Sequence, residues 1–211
     1  MYVGRIVAVG RTRDGRNAAL YRVSSRSFPN RQAVDLGGRL AIVPSPGAED
    51  DVRKNPYIAY NALRTVSGWA IATNGTHTDP ITEKVAAGMA PRDALALSLH
   101  MLDYEKDQLN TPRIAAAVPL RGDTAWLAIV REDALVVKAV RLAPGRAQYL
   151  ATYETNDVDP AQSSDFDAAT AADAARFTFE GGAFADLEEP VTAAAALAGG
   201  DAFGLGTYTE P

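Results

Sequence analysis

Between residues 113 and 153 four runs of apolar and β-branched residues follow one another: Arg113 to Leu120, Thr124 to Arg131, Ala134 to Leu142 and Gln148 to Tyr153. They are broken only by Arg121-Gly122-Asp123, Glu132-Asp133 and Pro144-Gly145. Runs of this length and composition, so closely punctuated by turn residues, can pair only as neighbouring antiparallel strands. This meander reads as one sheet. A second group of strands comes from the N-terminal half: Tyr2 to Val9, Ala18 to Ser24, Arg39 to Val43, Ala62 to Val66 and Trp69 to Thr73. Asp14-Gly15 suits the positive φ angles of a tight hairpin between the first two, and Ser67-Gly68 turns between the last two.

Helical signals lie between and after these groups. Asp79-Pro80 reads as an N-cap followed by a first-turn proline, for a helix running to Ala87 and stopped by Gly88. Over Pro91 to Lys106, Leu95, Leu99 and Leu102 form one stripe, with Ala94, Ser98, Met101 and Glu105 beside it and Asp93, His100, Asp103 and Asp107 opposite. Ser164 and Asp167 resemble a capping box for a helix from Asp167 to Phe179, ended by Gly181-Gly182. Glu188 to Ala198 is rich in alanine and reads as helix, and the glycine-rich tail from Gly199 as loose or edge-paired. Together these elements predict an α+β fold, a four-layer αββα sandwich of two packed, mainly antiparallel sheets with helices outside. One domain over residues 1–211 is expected, because 211 residues suffice for a single core.

Composition narrows the function. A formal charge of −5 argues against a protein that grips nucleic acid through backbone electrostatics. Basic residues should then serve a small anion locally. With no cysteine and two histidines, the chain offers neither thiolate ligands nor a histidine cluster for a metal. No apolar run approaches the roughly 20 residues of a membrane helix, and Met1-Tyr2-Val3-Gly4-Arg5 lacks a signal pattern, so a soluble cytoplasmic protein is expected.

Three stretches carry candidate chemistry. In Tyr21 to Arg31, Arg22, Arg26 and Arg31 are interleaved with Ser24, Ser25 and Ser27, donors suited to a phosphate or carboxylate; the same residues also suit a solvated edge strand. Tyr57 and Tyr60 lie near Asn55 and Asn61, as core phenols with hydrogen-bonded tips or as proton donors. Asn74, Thr76, His77 and Thr78 occupy a strand-to-helix junction, with His77 either an acid/base or a polar loop residue. Glu105, beside the apolar stripe, should have its neutral form favoured, as suits an acid/base group; alternatively it pairs with Lys106 or Arg113 at a helix end.

The blocks Tyr21 to Arg31, Asn55-Pro56-Tyr57-Ile58-Ala59-Tyr60-Asn61, Asn74-Gly75-Thr76-His77-Thr78-Asp79 and Asp103 to Ala116 together resemble the archaeal-type IMP cyclohydrolases, and the likeness runs from Met1 to Ala194. The resemblance implies an αββα fold like that of N-terminal-nucleophile hydrolases. It also implies the last step of de novo purine synthesis, closure of 5-formamidoimidazole-4-carboxamide ribonucleotide to IMP with loss of water. That ring closure needs no cofactor and no acyl-enzyme, and the chain opens Met1-Tyr2 rather than with Ser, Thr or Cys, so non-covalent acid/base catalysis is expected. On this reading Tyr60 and Glu105 form the proton-transfer pair, and Arg31 acts at the reacting centre and as an anion ligand. Ser24, Arg26 and Ser27 bind substrate, Asn74 orients the carboxamide, and Arg5 and Lys106 are further ligands. The partner is a small purine nucleotide, with a homo-oligomer allowed by uncovered edge strands. Two other readings fit the same residues: a non-catalytic purine-nucleotide-binding regulator, and an amidohydrolase of the N-terminal-nucleophile type.

Overall fold

The computed structural model describes residues 1–210, and two antiparallel sheets face each other across it. One sheet contains six strands in the order β11 (Ser163–Asp165), β10 (Arg146–Ala151), β1 (Ile6–Arg11), β2 (Asn17–Ser24), β12 (Pro190–Gly199) and β13 (Ala202–Thr209). The other runs in simple sequence order through β3 (Arg31–Asp35), β4 (Arg39–Pro44), β5 (Tyr60–Val66), β6 (Trp69–Thr73), β7 (Arg113–Pro119), β8 (Thr124–Arg131) and β9 (Ala134–Arg141). Four helices complete the chain: α1 (Asp51–Lys54), α2 (Thr78–Ala86), α3 (Pro91–Leu102) and α4 (Ala171–Glu180).

Side-chain alternation generates the layers. On β1 and β2, Val7, Val9, Ala19, Tyr21 and Val23 join Ile114, Ala116 and Val118 of β7 in the core between the sheets. The intervening Ile6, Ala8, Ala18 and Leu20 face outward onto Ala174, Ala175 and Phe179 of α4. Outward residues of the other sheet, among them Ile71, Ala115 and Ala117, are covered by Ile81 of α2 and by Leu95 and Leu99 of α3. The result is the α+β, four-layer αββα sandwich.

Several boundaries differ from those expected. The meander from residue 113 is not a sheet of its own: β7 to β9 extend the sheet of β3 to β6, and β10 crosses to pair with β1. Arg31 to Asp35, where no element was expected, is the edge strand β3. The alanine-rich stretch is strand β12, buried on both faces between β2 and β13; where every position is interior, small size outweighs helix propensity. Helix α2 starts at Thr78, and Asp79 is not its cap but accepts from Asn61 Nδ2 and Arg64 Nη1. Helix α3 ends at Leu102 because Asp103 takes φ +56°, so Glu105 lies beyond it, and Met101 is 62% exposed. The capping box is formed by Thr170 and Asp173, while Ser164 belongs to β11.

The glycine-rich tail is edge-paired as strand β13, and Gly206 shows why glycine is needed there. A Cβ at that position would overlap the backbone of Ala171 and Ala172, where α4 begins. Gly206→Ala is therefore expected to push α4 from the sheet and lower stability by roughly 1–3 kcal/mol, the usual range for overpacking, read as a drop in thermal midpoint; an unchanged midpoint would show that the helix start yields freely.

Candidate active site

Strand β2 leaves the six-stranded sheet at Ser24, and the chain crosses to the other sheet through residues 25–30 before β3 begins at Arg31. The same end of the sandwich gathers the starts of β1, β5 and β7 and the end of β10. A cavity of about 110 Å³ opens there, lined by Arg5, Ser25, Ser27, Arg31, Tyr57 and Glu105, with Tyr2, Asp107, Leu109 and Tyr153 around them. A larger cleft of about 550 Å³ lies by the β1–β2 hairpin, but its Arg13, Arg16, Asp14, Asp167 and Asp173 are of both signs. Arg16 is already paired with Asp14, and Asp173 caps α4.

Glu105 is the centre of the small cavity. It is 3% exposed, its Oε1 is 3.2 Å from Arg113 Nη1, and its Oε2 is 3.6 Å from Arg5 Nη2. Burial raises its pKa above the usual carboxylate value, while Arg5 and Arg113 oppose that shift. For Arg5, burial works against the charge, but Glu105 and the nearby phenols raise its pKa overall. The carboxylate's loop is fixed on both sides: Glu105 N donates to Thr111 O (2.8 Å), and Arg113 Nε donates to Asp103 O (2.8 Å). Gly75 comes close enough that a Cβ there would lie 3.1 Å from Arg113 Nη1 and 3.4 Å from Glu105 Oε1.

Arg31 is 4% exposed, and its Nε donates to Phe28 O (3.0 Å). Among the described residues this is its only side-chain hydrogen bond, and no carboxylate pairs with it. Burial lowers its pKa, partly offset by Tyr60. A buried guanidinium with free nitrogens facing a cavity is a site for an anion. Tyr60, 8% exposed at the start of β5, shares a 2.5 Å hydrogen bond with Tyr21 OH of β2.

Arg5, Ser27, Arg31 and Glu105 thus line one cavity, and Tyr60 lies close to Arg5 and Arg31 but outside that lining. The structure places the other four differently. Ser24 is fully buried, accepting from Arg22 Nε. Arg26 lies at the rim, stacked 4.3 Å over the Tyr2 ring and paired with Glu188. Asn74 spends its amide on Pro112 O and Ile114 N, tying β6 to β7. Lys106 is exposed, paired with Asp103 and set over the Tyr104 ring. Arg22, grouped with the anion ligands in sequence, is buried and donates to the carbonyls of Phe179, Phe184 and Leu187. Of the two partners the sequence offered Glu105, Arg113 is the one it pairs with, and Tyr21, bonded to Tyr60, reads locally as an ordinary strand residue.

His77 is fully buried with Nε2 3.0 Å from Ile114 O. A carbonyl only accepts, so Nε2 carries the proton. Burial pushes its pKa down to about 3, which keeps the ring neutral. The unfolded chain then binds the extra proton first, so stability should fall as pH drops from about 6.5 toward 3. Denaturant midpoints across that window should decline more steeply for the wild type than for His77→Gln; equal slopes would mean that His77 is not held neutral.

Residues 2–202 match the family model described as IMP cyclohydrolase-like protein. Among curated relatives, an IMP cyclohydrolase of Methanosphaera stadtmanae is 45% identical over 93% of this chain and 94% of its own. An IMP cyclohydrolase of Methanocella arvoryzae is 46% identical over the full length of both. One of Halobacterium salinarum is 49% identical over 83% of each.

Proposed function

The chain belongs to the IMP cyclohydrolase-like family, and on that footing we propose that it closes 5-formamidoimidazole-4-carboxamide ribonucleotide to IMP in purine biosynthesis, as a single cytoplasmic domain. The observation that carries the reading is an unpaired buried guanidinium and a buried carboxylate lining one cavity, with the buried phenol of Tyr60 close to the two cavity arginines, Arg5 and Arg31. Those groups answer the three demands of the reaction: an anionic substrate to hold, a weak amide nucleophile to deprotonate, and a carbonyl oxygen to protonate.

Arg31, with Ser27 at the rim, holds the nucleotide, and Arg5 orients Glu105 from one side as Arg113 does from the other. Glu105 takes a proton from the carboxamide nitrogen as it attacks the formyl carbon, and Tyr60 gives a proton to the formyl oxygen. The ring is then closed as a carbinolamine. Glu105 returns its proton to the hydroxyl, which leaves as water, while Tyr60 recovers the proton of the nitrogen that carried the formyl group. Both catalysts end as they began, and one water is released. Holding the two arms face to face contributes several kcal/mol of the barrier reduction. Ser24 and Asn74 support the frame, whereas Arg26 and Lys106 stand at the periphery. Among the described residues no helix is long and apolar enough to cross a membrane. Leu97 and Met101, exposed on α3, and Leu135 on edge strand β9 support a homo-oligomer.

An absorbance assay of IMP formation from the formamido precursor tests the activity. Glu105→Gln should lower kcat by about 10²–10⁴-fold with little change in KM, the worth of one placed base; near-normal turnover removes Glu105 from the mechanism. Arg31→Ala should weaken IMP binding by roughly 10- to 100-fold, the scale of a lost charged hydrogen bond. Unchanged IMP affinity would end the anion role. IMP binding without turnover would instead favour the regulatory protein.

A further inference from the structure

Tyr21 and Tyr60 make a polar bridge between two sheets whose facing surfaces are otherwise largely apolar. Tyr21 stands on central strand β2, in register with Val7 of β1 and Ala194 of β12, and is fully buried. Tyr60 reaches it from β5 across the interlayer. The rings meet edge to face, centroids 6.4 Å apart and planes at 77°, and the hydroxyl oxygens are 2.5 Å apart. A phenylalanine would serve the packing alone, so the two hydroxyls need another explanation.

Their hydrogen-bond polarity follows from the neighbours. Among the described residues, the Tyr21 hydroxyl has one partner, the Tyr60 hydroxyl. The charged groups nearest the pair are Arg5 and Arg31, with Glu105, Tyr2 and Tyr153 beyond them. Guanidinium groups only donate. Whichever phenol donates, the other's proton has no partner among the described residues. Tyr21 is wholly buried and Tyr60 8% exposed, so stranding the Tyr21 proton is the costlier arrangement, at about 1–3 kcal/mol. Tyr21 therefore donates, Tyr60 accepts, and the Tyr60 proton is left to point elsewhere. Arg5 and Arg31 cannot take it, but both line the cavity, so an acceptor bound beside them is the partner open to it.

We propose that Tyr21 is a positioning residue that holds Tyr60 as a hydrogen donor aimed at the substrate's carbonyl oxygen. The inference rests on the cyclohydrolase reading and sharpens it, because it makes Tyr60 the acid and leaves Glu105 as the base. When Tyr60 releases its proton, the Tyr21 O–H is already directed at the oxygen that gains charge. No bond has to reorient at that moment, which is the condition under which a donor is most effective. Burial, and then Tyr60, raise the Tyr21 pKa well above the ordinary phenol value, so Tyr21 retains its proton throughout.

The test is a double-mutant cycle of Tyr21→Phe and Tyr60→Phe, read as kcat, KM and IMP affinity. Tyr21→Phe should lower kcat about five- to tenfold, the worth of one neutral hydrogen bond, with KM and IMP affinity unchanged. In the Tyr60→Phe background the same change should cause no further loss. Unchanged kcat in Tyr21→Phe overturns the inference and leaves the reaction assignment intact. So does an equal loss in both backgrounds, which would mean that the hydroxyl acts through packing. Full turnover in Tyr60→Phe would instead remove Tyr60 from the mechanism.

Discussion

Three guanidinium groups, those of Arg5, Arg31 and Arg113, lie at or beside the cavity with one buried carboxylate, Glu105, which pairs with Arg5 and Arg113 only, and the cavity at the end of the sandwich takes its character from that imbalance. Removing a charge from water costs several kcal/mol unless a partner compensates it, and one carboxylate compensates at most two of the three. Arg113 and Arg5 flank Glu105, whereas Arg31 has only the carbonyl of Phe28. On the proposed reading, an anionic nucleotide completes the set. The same electrostatics act on Glu105 in opposite senses: burial, the larger effect, raises its pKa above the usual carboxylate value, and the two guanidiniums oppose it.

Most polar groups around the cavity hold the backbone in place rather than meet a ligand. Arg22 draws together the carbonyls of Phe179 at the end of α4 and of Phe184 and Leu187 after it, and Asn74 fastens the end of β6 to the start of β7. Thr73 and Thr78 close the intervening turn through a 2.6 Å hydroxyl contact. These bonds satisfy buried groups where regular strand pairing stops, which is where a sandwich would otherwise leave amides and carbonyls without partners. The site thus occupies a region where both sheets already rely on side chains.

What could be read from sequence follows from which forces are local. The β1–β2 hairpin is legible because Asp14-Gly15 allows the turn by itself, and Gly15 takes φ +90°. Strand β12 was misread because alanine favours helix in isolation, and nothing nearby in sequence tells that β2 and β13 will enclose it. Glu105 came out buried for a reason other than helix geometry: the helix stops at Leu102, and Arg113 and Thr111 hold the carboxylate's loop inside. Arg31 shared its segment with Arg22 and Arg26, and only the crossing between sheets separates a structural, an exposed and a cavity-facing guanidinium. Tyr21 had no local signal, since its meaning depends on a partner 39 residues away.

The site is divided between fixed and adaptable parts. Arg31, Tyr60 and Arg113 sit at the first residues of β3, β5 and β7, so their Cα positions are set by strand pairing. Glu105 is on a loop, but a backbone bond to Thr111 and the Arg113 clamp on Asp103 give that loop comparable support. Ser27, Tyr57 and Leu109 are exposed around the opening, and Leu109 is 68% accessible. Chemistry requires atoms held within a fraction of an ångström, while admission of a nucleotide requires side chains that yield. On the proposed assignment, proton transfer falls to a strand start at Tyr60 and a braced loop at Glu105, and entry to the rim, whose exposed side chains are separate from the bonds that hold Glu105 and Tyr60.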